Sequence, residues 1–311
     1  MTIAFQLSRK LILKEAVPRK MKGHASQSMI RSQGPDRNTG AMADNSSGRH
    51  VAAARRARVI QQIPSAALRP FVKRFLVLEF PLHHDDVHLP DVRAVAAFTF
   101  RGRCRIDDEL WAPPAAITGP RGTLRTHEHS DGNAVLLATF TAVGAAAFLP
   151  APLEEFKEST VDLRTVFEQP EDLDPLREQI VEASNHALRV ELLERFLLSR
   201  IRIVLPDPLI SAAVDWLRTA RQPSRVRQLA QYIGLSESAL ERRFRKIVGI
   251  SPKRFASIVR LRHAVKLASR EGNLTALAHA AGYFDQSHFI HDFRRATGTT
   301  PEAYFRQQAF K

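Results

Sequence analysis

At 311 residues the chain is long enough for two domains with sizeable cores. Its single cysteine, Cys104, excludes an intramolecular disulfide framework and points to a reducing compartment, and no apolar run nears the ~20 residues that a membrane span needs. The formal net charge of +14 is uneven: residues 1–60 carry 12 Lys/Arg against 3 Asp/Glu, 61–206 carry 16 against 21, and 207–311 carry 18 against 8.

A basic C-terminal third beside a mildly acidic middle is the balance of a DNA-binding domain joined to a sensing or assembly domain. Residues 1–60 read as a disordered basic tail, because Gly23 to Arg49 is rich in Ser, Gly, Asn and Gln without sustained periodicity. Lys10 and Lys14 interrupt the short apolar run there, which argues against a signal peptide, and Met29 and Met42 stand as alternative starts.

From 61 to 163 the texture is that of a β-rich sensing domain. Pro64-Ser65 predicts a helix through Leu68, Phe71, Val72 and Phe75. Strands are expected at Phe75–Phe80, Val92–Phe100, Cys104–Ile106, Ala115–Thr118 and Ala134–Phe140, separated by Pro, Gly and Asp turns, as in a small barrel or sandwich. Residues 164–205 predict a helical pair, Leu173–Ser184 and Ala187–Ile203, whose apolar faces suit either a dimer interface or their own barrel. Leu205-Pro206-Asp207-Pro208 is a prolyl break, and a third domain is expected from 206 to 311, led by a helix over Leu209–Thr219.

That last domain writes one unit twice. Leu229-Ala230, Gly234, Ser236, Leu240, Phe244, Gly249, Pro252 and Phe255 are echoed by Leu277-Ala278, Gly282, Asp285, Phe289, Phe293, Gly298, Pro301 and Tyr304. In each copy a short helix ends at a glycine, which accepts a left-handed cap. Ser236 or Asp285 then N-caps a second helix, which buries its apolar residues at i and i+4. This is a helix-turn-helix, whose second helix enters the major groove of DNA. The second helices are Glu237–Val248 and Gln286–Ala296, and Pro252 opens a long helix through Ala268 that holds the two apart.

These residues, with Ser251-Pro252, Arg260-Leu261, Ala264, Ala281-Gly282-Tyr283, Gln286-Ser287 and Phe293-Arg294, resemble the tandem helix-turn-helix domain of AraC/XylS-type transcriptional regulators. The segment Thr141 to Leu163, through Gly144, Pro150, Pro152-Leu153 and Val161-Asp162-Leu163, resembles the cupin-like region of one branch of that family. The expected class is α+β, a small β-rich, cupin-like middle domain followed by an all-α double helix-turn-helix domain. The resemblance implies a cytoplasmic, sequence-specific regulator of transcription that reads double-stranded DNA. It implies RNA polymerase, a small-molecule effector and a second copy of the chain as further partners, with no membrane. The DNA-contacting residues it implies are Ser238, Glu241, Arg242 and Arg245 on the first reader and Gln286, Ser287, His288, His291 and Arg294 on the second.

Other chemistry is thinner. His83, His84, His88, His127 and His129 cluster in the middle domain, but Thr126 to Gly132 reads as a loop and no third or fourth ligand can be named, so no metal or other cofactor is expected. Cys104 lies between Arg103 and Arg105; on an alternating strand the arginines point together and the thiol points opposite, toward the core. No Gly-rich phosphate loop, carboxylate pair or Ser/His/Asp arrangement stands out, and no enzyme is expected. The alternatives are a cupin-like small-molecule or metal-binding protein with secondary DNA binding, and an architectural DNA binder driven by charge alone.

Overall fold

The computed structural model describes residues 57–107, 111–167, 170–203, 205–219, 226–268 and 273–309. The expected disordered tail lies outside them except at its end. There Ala57 is buried and Arg58–Gln62 forms strand β1. Val59 and Ile60 find backbone partners along the edge of β2 (Val72–Phe80), which draws these residues out of the expected tail and into the sheet.

Seven further strands follow: β3 (His84–His88), β4 (Val95–Arg101), β5 (Cys104–Ile106), β6 (Ala115–Thr118), β7 (Arg125–His129), β8 (Asn133–Phe140) and β9 (Thr160–Asp162). They pair antiparallel into two sheets, one of order β1-β2-β8-β4-β6-β9 and one of order β3-β7-β5. Five strand sites were legible; β1, β3, β7 and β9 were not. The helix expected from Pro64 is corrected to a turn, closed by hydrogen bonds from Leu68 and Arg69 N–H to Ser65 O. Pro70 lacks an N–H and disfavours helix at Arg69, so the chain straightens into β2, and Val72 and Phe75 belong to that strand.

Helices α1 (Leu173–Glu182) and α2 (His186–Ser199) lay their apolar sides on the larger sheet. Leu173, Leu176, Ile180, Val190, Leu193 and Leu197 share one core with Phe75, Phe98 and Leu136. Helix α2 stops four residues before the expected Ile203, because the N–H of Arg202 turns back to Ala147 O at 2.8 Å.

The C-terminal unit comprises α3 (Pro208–Thr219), α4 (Val226–Tyr232), α5 (Glu237–Val248), α6 (Pro252–Leu267), α7 (Leu274–Ala280), α8 (Gln286–Thr297) and α9 (Pro301–Ala309). It has two cores. Leu229, Leu240 and Phe244 pack with Phe255 and Ile258 of α6; Leu277, Phe289 and Phe293 pack with Leu261 and Ala264 of the same helix. No helix among the described residues is long and apolar enough to cross a membrane.

Two loops of the β-rich unit, bridged at Asp91 and Arg121, form the platform on which these helices sit. Leu89 enters the second helical core, and Val92 enters the first. Arg262 of α6 donates to Pro90 O at 2.8 Å and lies 3.4 Å from Asp91 Oδ2, which also holds Arg93 at 2.6 Å. Burial alone would raise the Asp91 carboxyl, but Arg262 and Arg93 outweigh it and hold it well below the usual carboxylate range. The stability this contributes is fully present above the ~3.9 of an unfolded aspartate and is lost as pH falls toward the folded value. Asp91→Asn should therefore lower the unfolding free energy of the full chain by about 1–3 kcal/mol at neutral pH, since it strands two cations. Denaturant titrations of both forms check this: the gap should narrow in acid below pH ~4, and equal midpoints at pH 7 would show that the ion pairs do not hold the units together.

Candidate nucleic-acid interface

The two readers, α5 and α8, are built by the same local devices. Ser236 Oγ accepts from the N–H of Ala239 at 3.2 Å, and Asp285 Oδ1 accepts from that of His288 at 2.7 Å. These caps satisfy donors that a helix start leaves open. Gly249 and Gly298 end the helices in the left-handed region, at φ 85° and 75°. Leu240 matches Phe289 and Phe244 matches Phe293 on the inner faces. The outer positions then correspond as Ser238 with Ser287, Arg242 with His291, Arg245 with Arg294 and Lys246 with Arg295.

Not all the expected residues stand equally free. Ser238, Arg242, Ser287, His291 and Arg294 are exposed. Glu241 instead holds Arg245, whose Nη2 lies 2.7 Å from Glu241 Oε1. Gln286 accepts from Thr275 Oγ1 at 2.7 Å, and the His288 ring stands edge-on to Tyr283 with centroids 5.3 Å apart. Among the described residues no ion pair ties Arg242, Arg294 or Arg295; Arg295 and Lys246, both exposed, extend the basic face beyond the expected set. Their signal was the repeat register itself. Arg243, on the same helix, is engaged by Asp207.

Asp292 braces the second reader from behind. It accepts from Ser257 Oγ at 2.8 and 2.9 Å and from Tyr283 Oη at 3.3 Å, tying α8 to α6. Burial, then Asp292, raise the Tyr283 phenol, which keeps it a neutral donor.

The β-rich unit meets both readers at their C-terminal ends. A methyl at Gly249 would meet Pro120 Cγ at 2.6 Å and Leu153 O at 2.9 Å, and the N–H of Leu124 donates to Ala296 O at 2.9 Å. The N-terminal halves, which in a helix-turn-helix carry the base contacts, are left uncovered. A separate cleft of about 960 Å³ lies between the two units, lined by Lys73, Arg93, Arg218, Arg262 and Lys266 with Asp91 among them, a surround that attracts anions.

The family model described as a helix-turn-helix domain matches residues 229–307. The transcriptional activator RhaS of Pectobacterium atrosepticum is 34% identical over 83 residues, 26% of this chain and 29% of that protein; the chain thus spans under a third of that relative's length. An AraC-type DNA-binding-domain regulator from Chromobacterium violaceum is 26% identical, covering 33% of this chain and 93% of the solved one, with a TM-score of 0.30. ToxT of Vibrio cholerae is 11% identical, covering 81% and 97%, with a TM-score of 0.42. Residues 229–307, spanning both readers and the helix between them, thus match a helix-turn-helix domain family.

Proposed function

We propose that the chain is a sequence-specific DNA-binding regulator of transcription rather than an enzyme, acting on DNA in the cytoplasm. The observation that carries this is a matched pair of capped readers with uncovered outer faces, both packed on α6. On this reading α5 and α8 enter successive major-groove segments on one side of the duplex, about one helical turn (~34 Å) apart.

Arg242, His291, Ser238 and Ser287 face base edges in this arrangement. Arg294, with Gln286 and His288 on the flank, serves the second segment, and the Glu241–Arg245 pair borders the first. Arg242 is exposed and central, and no ion pair ties it among the described residues, so it is the residue we assign to bidentate guanine recognition. Arg242→Ala should cost ~1–3 kcal/mol on the preferred duplex and relax preference at one base pair. Uniform weakening on all sequences with a shallower salt dependence would instead make Arg242 a phosphate contact.

The reading as a whole is tested by selecting duplexes from a random pool with the full chain, then competing the enriched duplex against random DNA. A specific regulator keeps its site in excess competitor, because specific binding exceeds non-specific binding by at least ~10³. Displacement in step with competitor mass would support the architectural, charge-driven alternative.

A further inference from the structure

The smaller sheet has a polar interior. Its register sets His84, Asp86 and His88 of β3 opposite His129, His127 and Arg125 of β7, with Cys104 of β5 opposite His129. Directly paired residues of antiparallel strands share a face, so one face collects Asp86, the four histidines His84, His88, His127 and His129, Arg125 and the thiol. The expectation that Thr126 to Gly132 is a loop is thereby corrected over Thr126–His129, which lie on β7, while Asp131 and Gly132 form the turn that follows. Arg103 and Arg105 point to the other side, over the Trp111 ring at 4.1 and 5.7 Å.

His129 is oriented from behind. Asn133 Nδ2 donates to Arg101 O at 3.0 Å, which turns its Oδ1 toward His129 Nδ1 at 2.9 Å. The imidazole therefore donates from Nδ1 and aims Nε2 inward, the second-sphere arrangement that presents a histidine to a metal. Nε2 is buried without a hydrogen-bond partner, 3.7 Å from Asp86 Oδ2. That is too far for a hydrogen bond. Asp86, with a side chain 3% exposed, has its Oδ1 unsatisfied too; His88 Nε2 approaches to 2.9 Å off the bonding direction, and His127 Nδ1 stands at 4.0 Å. A buried carboxylate and an imidazole nitrogen facing each other with nothing between are costly, and a cation between them removes the cost.

Donor atoms of Cys104, His127 and His129 lie within 4.8 Å of one another, as do those of Asp86, His88 and His127. Imidazole and thiolate with a carboxylate are the donors of zinc and cobalt, whereas calcium and magnesium take oxygen. With bonds of ~2.0–2.3 Å a tetrahedral site has edges of about 3.3–3.7 Å; the Asp86 carboxylate stands at 3.7 and 4.0 Å from His129 and His127, and the Cys104, His127 and His129 donors, within 4.8 Å of one another, have to close by about 1.5 Å at most. The two negative groups, thiolate and Asp86, match a dication's charge.

We propose that Cys104, His127 and His129 bind one zinc-class divalent ion in the β-rich unit, with the Asp86 carboxylate closing its fourth side. Binding releases the Cys104 proton, and the partly exposed rings of His88 and His127 mark the way in.

The test uses the full chain, stripped with a chelator and titrated with Co²⁺, then with Zn²⁺ in competition. The expected result is one equivalent bound, with the intense visible bands of tetrahedral cobalt and a sulfur-to-cobalt charge-transfer band. Cys104→Ser should abolish the charge-transfer band. His127→Gln and His129→Gln should weaken binding at least about tenfold, and His83→Gln should leave it unchanged, with circular dichroism confirming that each variant is folded. A protein that binds no cobalt stoichiometrically overturns the proposal. Binding that survives Cys104→Ser with the same spectrum, yet fails in His127→Gln, moves the ion to Asp86, His88 and His127 and overturns the assignment made here.

Discussion

Helix α6 is the constraint on which the rest depends. Its N-terminal half contributes Phe255 and Ile258 to one core, and its C-terminal half contributes Leu261 and Ala264 to the other. Neither helix-turn-helix can move far relative to the other without opening one of those cores, and truncating a single buried aromatic costs ~3–5 kcal/mol. The spacing of α5 and α8 is thus set by packing rather than by a linker. Ser251 and Pro252 start α6 cleanly, the hydroxyl accepting from the N–H of Arg254 at 3.2 Å and the proline filling a position whose N–H has no helical partner.

The β-rich unit is fastened to the same helix. Arg254 donates to Gly122 O and Arg262 to Pro90 O, one near each end of α6. The platform loops therefore bear on the element that spaces the readers, while their outer faces stay open.

The C-terminal domain was legible because each of its features is coded locally. Glycines where φ is positive, Ser and Asp at helix starts and aromatics four apart all specify their own backbone, and the repeat states them twice. Strands β3 and β7 were hidden for the opposite reason. His84-Asp85-Asp86-Val87-His88 and Arg125-Thr126-His127-Glu128-His129 look like solvated loops, because the face they bury is polar and the alternation rule looks for apolar residues. Sequence reasoning placed Cys104 on a strand away from its two arginines, but it could not see that the thiol meets His129, since that neighbour is set by sheet register. At the readers the register showed which positions face outward. It did not show that Glu241 engages Arg245 or that Thr275 holds Gln286, which are matters of rotamer and neighbouring helix.

The central claim is that two readers, fixed by α6, contact one duplex together. The most direct measurement is the affinity of the full chain for its selected duplex with one to ten base pairs inserted between the two contacted segments. If α6 sets the spacing, any insertion beyond one or two base pairs should reduce affinity to that of a duplex carrying only one segment. Restoration of a full helical turn should not rescue it, because the span has grown by ~34 Å. Affinity that stays level across the series, or that recovers at ten base pairs, would contradict a fixed spacing and with it this account of the domain.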